Sequence, residues 1–238
     1  MKYYIIRLTS SIICDIINST EGGYNVKKSV YSLVLMDDVI KAVDRQAYRL
    51  GTSRSNLINQ ILAEHLSCVT PEMRMREIFA AMSDLVGGSF RIQQQRSASL
   101  MTLKTALDYK YRPTISFKVE LERAPDDKLG TLRVQIRTQS EQLIGLFNSF
   151  FVYRIKLEKA LLEAKGRKDT EFELTSGCFT RKLLESGLDD EKTGEAISVY
   201  LTHLNKSIQT FFSAPQEFSN YSPELEKEYI AMLERFVL

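Results

Sequence analysis

The sequence predicts an α+β protein in which a small strand–helix–helix module precedes a larger domain built on an antiparallel sheet. A run of β-branched and apolar residues over 29–35 leads directly into apolar residues at helical spacing. Apolar and polar residues then alternate strictly over 115–121 and over 132–136, which is typical of a hairpin with one buried face. The order after residue 113 is two strands, a helix, two strands and two helices, which indicates an antiparallel sheet with helices on one face.

The charge balance excludes a chain that is basic throughout. The 238 residues include 32 Lys and Arg against 30 Asp and Glu, and 44% of them are hydrophobic. This composition is ordinary for a folded globular protein and supplies no general positive field. Any contact with nucleic acid must therefore be local.

The cysteines and histidines carry no recognisable site. Cys14, Cys68 and Cys178 are widely spaced, and the chain has only two histidines. This pattern predicts neither a disulfide framework nor a metal site, and a reducing cytoplasm fits it best. Because we find no phosphate-binding glycine loop, carboxylate pair or metal-ligand spacing, we expect neither an enzyme nor a cofactor.

Residues 1 to 25 are expected to form an appended N-terminal arm. Their apolar stretch from 3 to 17 is interrupted by Arg7 and Asp15 and is too short to span a bilayer, so no membrane contact or export signal is expected. Glu21-Gly22-Gly23 is a turn signal that ends the segment. We interpret the arm as an extra strand, as a flexible tail, or as residues ahead of the true start codon.

Residues 26 to 68 form the predicted strand–helix–helix module. Asp37 and Asp38 are acidic residues suited to the start of the first helix, and Gly51 is suited to its left-handed end. Ser53 is then a good N-cap for the second helix. A module this small cannot bury enough apolar surface alone, since domains of about 60 residues are already marginal. We therefore expect it to dimerise.

The strand has two faces, and side-chain bulk predicts which one is buried. Tyr31, Leu33 and Leu35 form the bulkier set and should point into the dimer core, while Val30, Ser32 and Val34 point outward. The predicted dimer core combines the inner strand face with the apolar faces of both helices: Tyr31, Leu33, Leu35, Val43, Leu57, Ile58, Ile61 and Leu62.

Three segments in this order resemble the ribbon-helix-helix family of CopG, Arc and MetJ type: the strand from Val30 to Asp38, the amphipathic helix to Leu50, and the stretch from Gly51 to Ile58. The resemblance implies a dimeric transcription regulator whose two-stranded ribbon enters the major groove of double-stranded DNA. The start of the second helix would then clamp phosphates. The residues expected to contact DNA are Lys27, Lys28, Val30, Ser32, Val34, Thr52, Ser53, Arg54 and Ser55.

The outward ribbon positions leave a second interpretation open. Val30, Ser32 and Val34 are less polar than this family would lead us to expect, although Ser32 can bond to bases and the valines can meet thymine methyl groups. Alternatively the outward face is covered by the arm or by the second domain. The module would then only pair subunits of an interaction protein such as an antitoxin or a scaffold.

A helical connector is predicted over 69–112, followed by an α+β domain of unassigned role over 113–238. Thr70-Pro71 starts a helix that ends at Gly87-Gly88, and 97–110 is predicted to be a second helix. The C-terminal domain could sense a small molecule, bind a partner protein or extend the dimer. Its polar sheet positions, Lys118, Arg133, Gln135 and Arg137, are expected to be an ordinary solvated face.

Overall fold

The computed structural model describes residues 5–10, 29–93, 97–123, 127–236 and 238, with side chains from Ser32 onward. The chain divides into two compact units, Met1–Arg74 and Met75–Leu238. None of the described helices is long and apolar enough to cross a membrane. The described residues also hold no group of three or more His, Cys, Asp or Glu side chains placed to bind a metal ion.

The first unit contains a two-stranded ribbon made within a single chain. Strand β1 (Ile5–Ser10) pairs antiparallel with β2 (Ser29–Val34), in a register that runs from Ile5 opposite Val34 to Ser10 opposite Ser29. Part of the N-terminal arm is thus a strand, one of the forms that we considered for it. One edge of β2 is therefore occupied by its own chain, whereas the sequence predicted a ribbon made from two copies.

Two helices follow the ribbon, α1 (Asp37–Leu50) and α2 (Arg54–His65). Gly51 ends α1 with a φ of 62°, a left-handed conformation that favours glycine. Ser53 caps α2, because its Oγ accepts a hydrogen bond from the Asn56 amide at 3.2 Å. The small core of this unit has four buried members, with Leu33, Leu35 and Leu62 partly buried against them: Val43, Ala47, Leu57 and Ile58.

The second unit is built on a six-stranded antiparallel sheet in the order β3-β4-β5-β6-β8-β7. Its strands are β3 (Arg91–Gln93), β4 (Leu100–Ala106), β5 (Thr114–Leu121), β6 (Lys128–Arg137), β7 (Phe172–Thr175) and β8 (Cys178–Leu184). Its helices are α3 (Pro71–Val86), which begins just before the boundary between the units, α4 (Glu141–Ala164), α5 (Asp190–Ser213) and α6 (Phe218–Arg235). The predicted α+β class and both predicted hairpins are confirmed.

A single hydrophobic core joins the four helices to one face of the sheet. Phe117 of β5, Phe151 of α4, Leu204 of α5 and Tyr229 of α6 are fully buried members of it. The opposite face carries the alternate, polar residues of the strands, and on β6 Arg133 is exposed. Helices on one face and polar side chains on the other agree with the strict alternation in the sequence.

The prediction of a helix over 97–110, and with it a helical connector as far as residue 112, is wrong. The segment forms β4, which pairs with β5 from Leu100 opposite Glu120 to Ala106 opposite Thr114. Met101 and Leu103 face the core while Thr102 and Lys104 face the other side, so the period is two residues. The sheet domain therefore contains two strands ahead of residue 113.

Candidate nucleic-acid interface

The described part of the ribbon has one face against the helices and one face toward solvent. Leu33 and Leu35 pack on the small helical core, whereas Ser32 is exposed and Val34 is 67% exposed. This alternation follows from the two-residue period of a strand. Val30 and Tyr31 also belong to β2, but their side chains, like Lys27 and Lys28 as a whole, lie outside what the structure describes.

The strand register brings in a basic residue that the sequence analysis did not assign to the site. Arg7 of β1 lies directly opposite Ser32, with Ile5 opposite Val34 and Thr9 opposite Val30. In the sequence, Arg7 stood out only as a charge that interrupts an apolar stretch. Its position depends on the pairing of two strands separated by 18 residues, 11 to 28, and no local pattern predicts such a pairing.

The start of α2 has the features of an anion-binding helix end. Ser53 Oγ caps the amide of Asn56, and Thr52 Oγ1 accepts a 3.0 Å hydrogen bond from the Asn56 side chain. No described residue accepts a hydrogen bond from the amides of Arg54 and Ser55. Free amides at the positive end of a helix dipole suit a phosphate oxygen.

Arg54, the cation predicted to clamp phosphate, has an intramolecular partner. Its guanidinium forms an ion pair with Asp44 of α1 through Nε, and its Nη2 donates a 2.7 Å hydrogen bond to Asp44 Oδ2. The Arg54 side chain is 58% exposed, and such ion pairs contribute only about 0 to 1 kcal/mol. A phosphate could therefore replace Asp44 as the partner of the Arg54 guanidinium at little cost in folding free energy.

The residues predicted for the dimer core divide into two groups. Val43, Leu57 and Ile58 are already buried within one chain, whereas Ile61 is 48% exposed. In the described part of the first unit, eight large apolar side chains are exposed beside a core of four buried ones. They are Val34, Met36, Val39, Tyr48, Leu50, Ile61, Leu66 and Val69. This much apolar surface on so small a unit is typical of an interaction surface.

The most perturbed titratable groups lie in the second unit, in a buried cluster that the sequence did not predict. Arg154 Nε donates a 2.5 Å hydrogen bond to Glu158 Oε1, and Arg181 Nε lies 3.3 Å from Glu158 Oε2. The Tyr200 hydroxyl donates to Glu158 Oε1 at 2.8 Å. Burial alone would raise the pKa of Glu158, but Arg181, Arg154 and Tyr200 together lower it below its usual range.

This cluster lies in the core and is not accessible to a substrate. The side chains of Arg154, Glu158 and Arg181 are at most 2% exposed. Burial, followed by the charge of Glu158, raises the pKa of Tyr200 to about 12, so that its hydroxyl keeps the proton that it donates. The carboxylate of Glu158 therefore links α4, β8 and α5, through Arg154, Arg181 and Tyr200.

No protein-family model, curated protein or solved structure matches the chain. The ribbon-helix-helix resemblance therefore rests on the residues quoted above and on the order of β2, α1 and α2.

Proposed function

We propose that the protein is a homodimeric transcription regulator that binds double-stranded DNA through its N-terminal unit. One observation carries the proposal: the ribbon exposes Ser32 and Val34 while Leu33 and Leu35 pack on the helices. A two-stranded ribbon with one free face has the width that the major groove admits.

The proposed contacts divide into base contacts and phosphate contacts. Ser32 can hydrogen-bond to either class of base edge, and Val34 can meet a thymine methyl group. Arg7, opposite Ser32 in the register, adds a positive charge that the sequence analysis left out. The amides of Arg54 and Ser55 would hold a phosphate oxygen, and this contact positions the ribbon without reading sequence.

A second copy of the chain would cover the exposed apolar side chains of α1 and α2. Ile61 of α2 is 48% exposed, Leu66 just after α2 is 55% exposed, and Val39 of α1 is 38% exposed. Because β1 already occupies one edge of β2, the proposed dimer depends on these helices more than on strand pairing between copies.

The test is fluorescence anisotropy of the full chain with the DNA upstream of its own gene and with a scrambled duplex, from about 50 to 300 mM salt, the range in which counterion release governs affinity. We expect salt-sensitive binding with a clear preference for the upstream DNA. Equal affinity for both duplexes would refute specific regulation, and no binding at the lowest salt would refute DNA binding altogether.

Two opposite changes test the role of Arg54. Arg54→Ala should weaken binding to both duplexes alike and reduce the salt dependence by about one phosphate contact. Asp44→Asn should strengthen binding, because it releases Arg54 from its ion pair. Glu64→Gln, an exposed change of equal charge on α2, is the control. If Asp44→Asn and Glu64→Gln strengthen binding equally, only net charge matters and Arg54 is no clamp.

A second candidate function is a protein-interaction module in which the ribbon unit only pairs subunits. The ion pair of Arg54 with Asp44 and the eight exposed apolar side chains of the described first unit favour it. Under this alternative the chain dimerises but neither Arg54→Ala nor Ser32→Ala changes any DNA affinity.

A further inference from the structure

A wide groove lies on the sheet face that points away from the helices of the second unit. It has a volume of about 1020 Å³ and is lined by residues of β3, β4, β5, β6 and the turn before β3. The residues that matter for its chemistry are four cations and two hydroxyls: Arg91, Lys104, Lys118, Arg137, Thr102 and Ser116. We call this feature the sheet groove.

The strand register explains why these cations lie together. Lys104 lies opposite Arg91 on one side and opposite Ser116 on the other, and Lys118 lies opposite Thr102. Directly opposite residues of antiparallel strands share a face, so one side of the sheet collects the charges of four strands. Lys118 and Arg137 were expected on a polar sheet face, but Lys104 was not, because β4 was predicted to be a helix.

The charges of the sheet groove are not neutralised by the described residues. None of its lining residues is acidic, and no described carboxylate forms an ion pair with any of its four cations. Glu120 shares this face but lies beyond Lys118, is exposed, and is not among the lining residues. A concave surface with four uncompensated positive charges attracts anions.

Two hydroxyls at the floor of the sheet groove lack hydrogen-bond partners among the described residues. They are Thr102 Oγ1, on a side chain that is 2% exposed, and Ser116 Oγ. Buried hydroxyls normally have a partner, because leaving one unsatisfied costs folding free energy. Each hydroxyl could donate a hydrogen bond to an acceptor oxygen of a ligand.

We propose that the sheet groove binds a small ligand with several phosphate groups, of the nucleotide or inorganic polyphosphate class. Lys and Arg side chains with hydroxyl donors are the usual protein ligands of phosphate oxygens. The volume is that of a pocket for a small molecule. Among the described lining residues the aromatic one is Phe90, which is 6% exposed, so the groove offers no platform on which bases of a nucleic acid could stack. The proposal does not depend on DNA binding by the first unit.

The experiment is isothermal titration calorimetry of the full chain with tripolyphosphate, ATP and adenosine. We expect the two phosphate compounds to bind and uncharged adenosine not to bind. Lys104→Gln combined with Lys118→Gln should weaken binding about tenfold or more, the loss expected for charge-assisted hydrogen bonds. The control removes the same charge elsewhere, as Lys156→Gln with Lys168→Gln, both exposed outside the groove.

Each result supports or overturns the proposal. ATP binding tighter than tripolyphosphate identifies a nucleotide, whereas equal affinities identify inorganic polyphosphate. No binding of either compound, checked by equilibrium dialysis where no heat is seen, or equal losses in the two double variants, would overturn the site. If a single-stranded oligonucleotide binds in a Lys104-dependent way and tripolyphosphate does not displace it, the small-ligand proposal is wrong. Arg137→Gln, a single change at an exposed side chain, repeats the test if the double variant does not fold.

Discussion

His203 Nε2 donates a hydrogen bond to the Leu225 carbonyl at 2.9 Å, which turns Nδ1 toward Arg154 Nη1 at 3.5 Å. The ring is 8% exposed and stacks on Tyr229. Burial, and then the positive charge of Arg154, lower the pKa of His203 to about 4. No role was expected for this residue from the sequence, because its partners come from two other helices, α4 and α6.

The depressed pKa of His203 makes stability depend on pH. The unfolded chain takes up this proton near pH 6.5 and the folded chain only near pH 4, so the contribution is complete above 6.5 and is lost as the pH falls toward 4. The loss should approach about 3 kcal/mol of the free energy of unfolding. The measurement is the free energy of unfolding in urea at about pH 7, 5.5 and 4.5, which span this window. His203→Gln should remove this part of the pH dependence, and an unchanged dependence in that variant would contradict the assignment.

The charged core shows what residue patterns alone cannot predict. Arg154 and Glu158 are four residues apart on α4, a spacing that usually marks an exposed ion pair. Here both are buried, and Arg181 of β8 lies 3.3 Å from the other carboxylate oxygen. Arg181 belongs to a strand of the second predicted hairpin, but only the packing of α4 on the sheet brings the three charges together.

At the scale of elements, two glycines test how tightly the helices pack. A Cβ on Gly194 of α5 would lie 2.6 Å from the Ile78 carbonyl oxygen of α3 and 2.7 Å from Ala81 Cβ. Gly194→Ala should therefore force the helices apart and destabilise the fold by about 2 kcal/mol. Gly145→Ala in α4, where a Cβ meets nothing within 4 Å, should instead stabilise it by about 1 kcal/mol through helix propensity. Thermal or urea unfolding measures both changes in the free energy of unfolding. If both variants are stabilised, α3 and α5 do not pack closely at Gly194.

The elements that the sequence predicted correctly are those with long, regular patterns. The alternation over 115–121 and over 132–136 identifies β5 and β6 without any tertiary information. The stretch over 100–106 misled us, because Leu100, Leu103 and Leu107 also recur at a helical spacing. The segment forms a strand because it pairs with β5 along its whole length, and this pairing is a tertiary contact that the local sequence does not encode.

For the whole molecule, the two units differ in how much of their apolar surface the chain itself covers. The second unit closes one continuous core between its helices and one face of its sheet, whereas the described part of the first leaves Ile61, Leu66 and other apolar side chains exposed. The sequence predicted this difference from size alone, since a short strand–helix–helix module cannot bury enough surface. It could not predict which side chains remain for a partner, because β1 was not expected on the edge of β2.

Ile61→Asp separates dimerisation from folding. Ile61 is 48% exposed in the single chain, so a carboxylate there stays hydrated and should leave the fold intact, whereas in the proposed dimer it would be buried without a partner. We expect sedimentation equilibrium to give a dimer for the unchanged protein and a monomer for Ile61→Asp, with the same far-ultraviolet circular dichroism. Gln142→Asp places the same charge on an exposed position of α4 in the second unit and is the control. A dimer that survives Ile61→Asp would mean that the copies associate elsewhere, and an unchanged protein that is monomeric would remove the dimer from the proposed mechanism.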